Sequence, residues 1–123
     1  MTIERHELKV STTGVAGSAS WSSILAVPLS ELVAVYVDYH GSAPSTTDLT
    51  LKSPVNPASV TLMTLTNTNT DAWKYPKVQK HDNVGAAITG DYADPVVHGN
   101  LQCDLAQCDA LTDAAVLTVY LRV

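Results

Sequence analysis

The clearest hydrophobic pattern in the chain lies between Glu31 and Leu51, in the sequence ELVAVYVDYHGSAPSTTDLTL. From Leu32 to Tyr39 apolar side chains occupy both faces of the alternation, which predicts a strand in the middle of a sheet, covered on each side. From Thr47 to Lys52 leucines alternate with polar residues, which predicts a shorter strand with one face in water. The Gly, Ser and Pro residues between the two runs cannot continue a strand. We therefore expect a strand, a reversal and a second strand.

Shorter runs of the same kind predict further strands on both sides of this centre. They cover Ile3–Thr12, Ile24–Val27, Val60–Thr66, Trp73–Val78, Ala86–Thr89, Val96–Leu105 and Val116–Val123. Pro28 is expected to end the strand before it, and Pro76 places its run at a sheet edge or outside the sheet. The segment SPVNPAS predicts a break, and residues 79–95 are expected to be mostly loop.

These runs indicate an all-β fold, because turn clusters separate them and no convincing amphipathic helix accompanies them. We expect an antiparallel β-sandwich or jelly roll of about seven to eight short strands. A chain of 123 residues fits one domain, here residues 1–123, with a core large enough to need no metal or disulfide. Residues 1–23 are expected to form an N-terminal arm, or a first strand followed by a loop.

Composition and charge narrow the classes of function. The net charge is −5, so no electrostatic footprint for a phosphate backbone exists and nucleic-acid binding is not expected. No apolar run approaches the ~20 residues of a membrane span, and the N-terminal sequence lacks the order of a secretion signal. We expect a protein with no membrane partner, made in the cytoplasm.

Candidates for catalysis are few. Asp38 and His40 share a strand face beside a turn, and a His next to a carboxylate is half of an acid/base device. Polar residues normally occupy such a position, so a structural or surface role is the preferred interpretation. Ser42 and Ser45 lack the Gly-x-Ser-x-Gly context of a nucleophile. We expect no catalytic residues and no enzyme, with a small hydrolase built on His40 and Asp38 as the lowest-ranked alternative.

One cluster of residues resembles a metal site in composition. His98, Cys103 and Cys108 follow one another with four residues between each pair, and His81 lies upstream. Structural zinc sites usually carry a tighter cysteine pair and a second such pair, which is missing here. Cys103 also shares the apolar face of its run, which favours a small core residue. We expect buried or inert thiols in preference to a disulfide or a metal site, and no cofactor.

Aromatic residues form a third candidate group. A sugar-stacking platform would need exposed rings, and the available rings are Trp21, Tyr39, Trp73, Tyr75 and Tyr92. Packing in the core or in a subunit interface is the preferred interpretation for strand-borne aromatics. For Trp21, in the small-residue segment TGVAGSASWSS, we expect packing into the core of its own subunit, with an intersubunit contact as the alternative.

Several segments in the last three quarters of the chain resemble small structural proteins encoded in the head-gene modules of tailed bacteriophages. The similar segments are VYVDYHGSAPSTTDLTL, DAWKYP, AAITGDYADPVVHGNLQC and the closing CDALTDAAVLTVYLRV, in that order. The resemblance runs from about Glu31 to the C-terminus. It implies a capsid decoration (cement) protein that binds the major capsid protein on the outside of an icosahedral head, often as a homotrimer, and reinforces the shell. Such proteins have no catalytic residues to carry over.

An all-β domain with few charges and a doubly apolar central strand is consistent with this role, because oligomerisation hides apolar surface. As contact residues we predict six side chains near the N-terminus and in the aromatic segments: Ile3, Arg5, His6, Trp21, Trp73 and Tyr75. The expected location is the exterior of the virion. Alternatives are a carbohydrate- or receptor-binding module of a phage tail or spike, and a head-completion or tail-tube protein.

Overall fold

The computed structural model describes residues 2–55 and 57–123, and it is all-β. These residues form nine strands: β1 (Ile3–Val10), β2 (Ala19–Tyr39), β3 (Asp48–Ser53), β4 (Val60–Leu65), β5 (Ala72–Lys74), β6 (Val78–His81), β7 (Ala87–Ala93), β8 (Val96–Cys108) and β9 (Ala115–Arg122). Seven of them form one antiparallel sheet in the order β1-β9-β2-β8-β3-β4, with β5 paired to β2. The predicted class, an antiparallel β-sandwich, is confirmed.

Strand β2 belongs to both layers of the sandwich. Its residues 19–31 pair with β8, whereas residues 31–39 pair with β9 and residues 35–37 also pair with β5. One layer therefore contains β1, β9, the second half of β2 and β5. The other contains the first half of β2, then β8, β3 and β4. Most of the strands are short, as predicted, but β2 is 21 residues long.

The prediction that Pro28 ends a strand is wrong. Residues 11–18 connect β1 to β2, and β2 begins at Ala19, five residues before the strand predicted at Ile24. The register between β2 and β8 shifts between Ala26 and Leu29, so the proline lies at an irregularity of the ladder. A residue without an amide hydrogen is tolerated at such a bulge, and a bulge bends the strand that contains it. Opposite this bend, Gly99 has a φ of 98°, a conformation that favours glycine.

The core lies between the two layers and consists mainly of leucine and valine. Its fully buried side chains lie on strands β1, β2, β3, β8 and β9 and include Val10, Leu32, Val35, Val37, Leu49, Leu51, Leu101, Leu105, Leu117, Val119 and Leu121. The alternation predicted for β3, β8 and β9 therefore places the expected leucine faces inward. Cys103 and Cys108 are buried in the same core as free thiols, as preferred from the sequence.

A β-hairpin occupies most of the segment predicted to be loop. Strands β6 and β7 pair antiparallel, and the turn between them is held by Asp82, whose carboxylate accepts hydrogen bonds from the amides of Val84 and Ala86, both at 3.0 Å. Gly85 supplies a positive φ of 84° in the same turn. The polar composition of this segment had indicated a loop, but a strand pair that lies on the surface needs no apolar alternation.

One further sequence expectation concerns the connection between β3 and β4. The segment SPVNPAS separates β3 from β4 as expected, and Asn56 within it lies outside the described residues. In the part of the chain that the structure covers, no helix has the length and apolar character of a membrane span.

Candidate interaction surface

The outward face of the layer β1-β9-β2-β5 carries a cluster of three aromatic rings. The register places Trp73 of β5 beside Tyr36 of β2, and Tyr120 of β9 beside Ala34. The ring centroids of Tyr36 and Trp73 are 5.1 Å apart, and those of Trp73 and Tyr120 are 5.8 Å apart, in tilted arrangements. Such pairs are favourable beyond the area they bury. We call Tyr36, Trp73 and Tyr120 the aromatic cluster.

The aromatic cluster is open to solvent on one side. Trp73 is 49% exposed, and Tyr75, which follows β5, is 61% exposed. Of the two kinds of packing preferred for strand-borne aromatics, the exposure of these two rings excludes the core, and an interface between subunits stays a prediction. Rings that are fixed by neighbours but remain accessible are typical anchors of protein interfaces.

The hairpin of residues 78–93 projects from the sandwich. Among the described residues, neither β6 nor β7 contacts a strand of the main sheet. Its large apolar side chains are all exposed: Val78, Val84, Ile88 and Tyr92, with Val84 at the turn 82% exposed. An isolated two-stranded hairpin is only marginally stable in water. The hairpin therefore presents apolar surface that no other part of the described chain covers.

The base of the hairpin is fixed to the sheet by Arg122 of β9. Its guanidinium donates to Glu31 at 2.9 Å and to Asp94 at 3.0 Å, and Lys77 at the other end of the hairpin also binds the Asp94 carboxylate. The hydrogen bond from Lys77, with a further contribution from Arg122, holds the pKa of Asp94 below its ordinary value although burial opposes the shift. Lys77, Asp94 and Arg122 thus join both ends of the hairpin to β9.

This ionic contact leads to a prediction for Asp94→Asn. The substitution is expected to loosen the hairpin, so that trypsin cleaves after Lys77 and Lys80 several times faster at neutral pH, while the free energy of unfolding falls by only about 1 kcal/mol. The matched control is Asp91→Asn, because Asp91 meets Lys80 only in an exposed pair at 3.5 Å. Equal cleavage of the two variants would contradict the role of Asp94.

The same variant has a defined pH dependence. The pKa of Asp94 is lowered in the folded state, so its ionised form contributes stability above the ordinary Asp range, and this contribution disappears as the pH falls through the folded-state pKa. The difference in unfolding free energy between wild type and Asp94→Asn is therefore expected at neutral pH and should vanish in strong acid. Urea denaturation at both pH values measures it.

Two open grooves adjoin the hairpin base. The larger, of about 680 Å³, is lined by Glu31, Lys77, Lys80, Tyr92, Ala93, Asp94 and Arg122. The second, of about 510 Å³, lies on the other side of Glu31 and Arg122 and includes the exposed apolar residues Leu29, Val96 and Val123. Arg122 lines both grooves and lies two residues beyond Tyr120 on the same face of β9, so the grooves lie near the aromatic cluster. Together they form an extended surface of apolar, aromatic and charged side chains.

The structure brings only some of the predicted contact residues together. Ile3 and Arg5 pair with Arg122 and Tyr120 across the β1–β9 ladder, so they share the outward face with Trp73. His6 pairs with the inward-facing Val119 and contacts Glu4 at 3.0 Å, so it lies on the opposite side of β1.

Trp21 lies apart from the other candidates. It is on the first half of β2, in the other layer, and it is 55% exposed. The expectation that Trp21 fills the core of its own subunit is therefore wrong. Its register partner Leu105 is a core residue, but among the described strands this half of β2 pairs with β8 alone, so Trp21 lies at the border of the sheet.

The remaining sequence candidates do not assemble into a reactive site. His40 is exposed, and its Nδ1 accepts a hydrogen bond from the amide of Ser42 at 3.0 Å, so the ring stabilises the turn. His98 is exposed whereas Cys103 is buried, and within residues 2–55 and 57–123 no three His, Cys, Asp or Glu side chains converge as metal ligands. Burial raises the pKa of the Cys103 thiol to about 12, which makes it unreactive at neutral pH. Tyr39 is buried and cannot stack on a sugar.

Sequence reasoning missed Tyr36 and Tyr120 because their proximity to Trp73 depends on strand register. It also missed the hairpin, for which the Asp82–Gly85 turn was the available signal.

Comparisons of the chain with family models, with curated proteins and with solved structures gave no match.

Proposed function

We propose that this chain is a bacteriophage capsid decoration (cement) protein, which binds the major capsid protein on the outer surface of the head as a homo-oligomer, such as a trimer. The observation that carries the proposal is the hairpin of residues 78–93, whose apolar side chains have no covering surface in the described chain. A fold that retains such an element next to exposed aromatic rings has the features of a protein that functions through contacts with other proteins.

The resemblance of the sequence to head-module proteins supplies the target. The mechanism would be avidity: each subunit makes a modest contact with one capsid protein, and the oligomer holds neighbouring capsomers together at high effective concentration. Lys80, Asp91 and the ionic residues at the hairpin base would add charged contacts at the rim, which favour correct orientation more than affinity.

The direct test is cosedimentation of the purified protein with emptied heads of the phage whose genome encodes it. Wild type is expected to sediment with the shells and to raise the temperature at which they open. A protein that stays in the supernatant at saturating concentration would refute the proposal. Electron microscopy of the decorated shells would show whether density lies on the exterior.

A second prediction concerns Trp73 of the aromatic cluster and the exposed Tyr75 that follows β5. Replacing Trp73 and Tyr75 together by Ala is expected to weaken shell binding by more than 1 kcal/mol, about fivefold or more, because exposed rings in fixed positions are typical hot spots. The matched control is Ser45→Ala, an exposed position in the turn before β3. Unchanged affinity with retained folding would exclude these two rings as anchors.

A carbohydrate- or receptor-binding module of a phage tail or spike is the second candidate, and the half-exposed ring of Trp73 within the aromatic cluster favours it. Sugars stack on such rings, so titration with the surface polysaccharide of the host should change tryptophan fluorescence in wild type and not in Trp73→Ala. Saturable binding of polysaccharide together with no binding to shells would favour this candidate over decoration.

A further inference from the structure

The layer that contains β8 and β3 has two free borders, and neither carries a charge. The first half of β2 pairs with β8 on one side only, and β4 pairs with β3 on one side only, as far as the described residues extend. Residues 19–30 and residues 60–70 contain no Asp, Glu, Lys, Arg or His. Proteins normally protect free sheet edges with charged side chains, prolines or bulges, because an unprotected edge pairs with other chains. Here the devices present are Pro28 and the register shifts at Ala19–Trp21, Ala26–Leu29 and Leu51–Lys52, and they leave residues 21–26 of β2 as a regular strand.

The contrast with β1 makes these two borders unusual. Strand β1 is the free border of the other layer, and within eight residues it carries Glu4, Arg5, His6, Glu7 and Lys9. The chain therefore protects one edge with charge. On the first half of β2, by contrast, Trp21, Ile24 and Leu29 are each more than half exposed.

The backbone of β2 is accessible for pairing along this border. The amide and carbonyl of Ser20 bond to Thr13 at 3.0 and 3.2 Å, on the side away from β8. Because backbone groups alternate in direction, those of Ser22, Ile24 and Ala26 face the same side. After the bridge at Ser20, no described strand pairs with this side of β2 until β9 begins at Glu31.

The direction of the strands indicates which strand can pair with the free border of β2. The order β2-β8-β3-β4 has four strands, each antiparallel to the next, so β2 and β4 run in opposite directions. If β2 of one copy lies beside β4 of the next, the sheet continues with antiparallel pairing, the more stable arrangement. One type of contact would then pair the backbone amides and carbonyls of both borders, and no additional partner is needed.

We propose that copies of this chain join head to tail, with the first half of β2 of one subunit pairing with β4 of its neighbour. Such a contact is heterologous, so it generates a closed ring when the rotation between subunits closes. The neighbouring subunit covers the exposed side chains of Trp21, Ile24 and Leu29 in this arrangement. This inference concerns how copies join and holds whether or not the target is a capsid.

The test uses two variants that each block one border. In the β2-blocked variant, Ile24→Lys and Ala26→Lys place charges on the first border, and in the β4-blocked variant, Thr61→Lys and Thr64→Lys place them on the second; all four side chains are exposed. The control adds two lysines at the exposed non-strand positions Ser45 and Ala110. Thermal unfolding confirms that each variant remains folded, and light scattering after size-exclusion chromatography gives the masses.

Wild type and control are expected to form the same oligomer, and each blocked variant is expected to be a monomer, with self-association weakened at least a hundredfold. An equal mixture of the two blocked variants should form a dimer, because each mixed pair retains one intact joint. A monomeric wild type would overturn the proposal, as would a β4-blocked variant with the wild-type mass or a mixture that stays monomeric. Shell binding by monomeric wild type would overturn this inference and the homo-oligomer in the decoration proposal but would leave attachment to the shell intact, whereas a head-to-tail oligomer that does not bind shells would overturn only the decoration proposal.

Discussion

Removal of the hairpin is expected to leave the domain folded and to abolish binding to its target. In this variant a Gly-Ser linker replaces residues 78–93, between Lys77 and Asp94, whose side chains are in contact and whose backbones are therefore close enough to join. Since β6 and β7 contact no strand of the main sheet in the described chain, the melting temperature should change by no more than a few degrees. Loss of the hairpin's exposed apolar residues should reduce affinity for shells at least a hundredfold, about 3 kcal/mol.

The control for this deletion keeps the hairpin and changes only its turn. Val84→Ser removes one exposed apolar side chain and leaves the Asp82 hydrogen bonds in place, so it should weaken binding by a smaller factor than the deletion. If the deletion variant binds shells as tightly as wild type, the hairpin is not the contact element. If the deletion variant fails to fold, the hairpin stabilises the domain, which would contradict the expectation drawn from its exposed side chains.

Leu32→Ala is expected to have the largest effect on stability, lowering the free energy of unfolding by about 2–5 kcal/mol. Leu32 is 0% exposed at the point where β2 passes from one layer to the other, and a cavity there would border both layers. For a domain of this size, such a loss corresponds to a decrease in melting temperature of roughly 10–20 °C. Urea denaturation and calorimetry measure the two quantities.

Leu29→Ala is the matched control, since it removes the same atoms from the same strand three residues earlier. Leu29 is 70% exposed in the single chain, so its replacement in the monomeric β4-blocked variant, where no neighbouring subunit covers it, should change the free energy of unfolding by no more than about 0.5 kcal/mol. Similar losses for the two variants would mean that the transition between layers is not buried as the structure describes.

The regular parts of the fold were predictable because their alternation coincides with burial. Leu49, Leu51, Leu117 and Leu121 alternate with polar or half-exposed residues, and their strands pack against a single core, so the period of two survives in the sequence. The continuity of β2 through Pro28 was not predictable in the same way. It depends on a bulge and on Gly99 in another strand, so no local pattern encodes it.

The candidate surface likewise contains residues that the sequence identifies and residues that only the strand pairing brings together. Trp73 and Tyr75 could be selected from the sequence because Pro76 places their run at a sheet edge or outside the sheet, where a contact with another subunit is possible. Their neighbours Tyr36 and Tyr120 could not, because the cluster results from pairing between strands that are far apart in the chain. For Trp21 the sequence favours the core over an intersubunit contact, but the ring is exposed because it lies on the free border of β2.

The position of β9 has a consequence for how the protein is made. It is the ninth strand in chain order, yet it lies between β1 and β2, and hydrogen bonds join Thr2 to Val123 beside it. Until residues 115–122 have been synthesised, β1 has no partner and the second half of β2 is open on one side. Pairing across this sequence distance is slow, so a nascent chain would hold apolar strands exposed for most of its synthesis. Chaperone capture during translation and poor recovery of chains cut before residue 115 are the expected costs of this strand order.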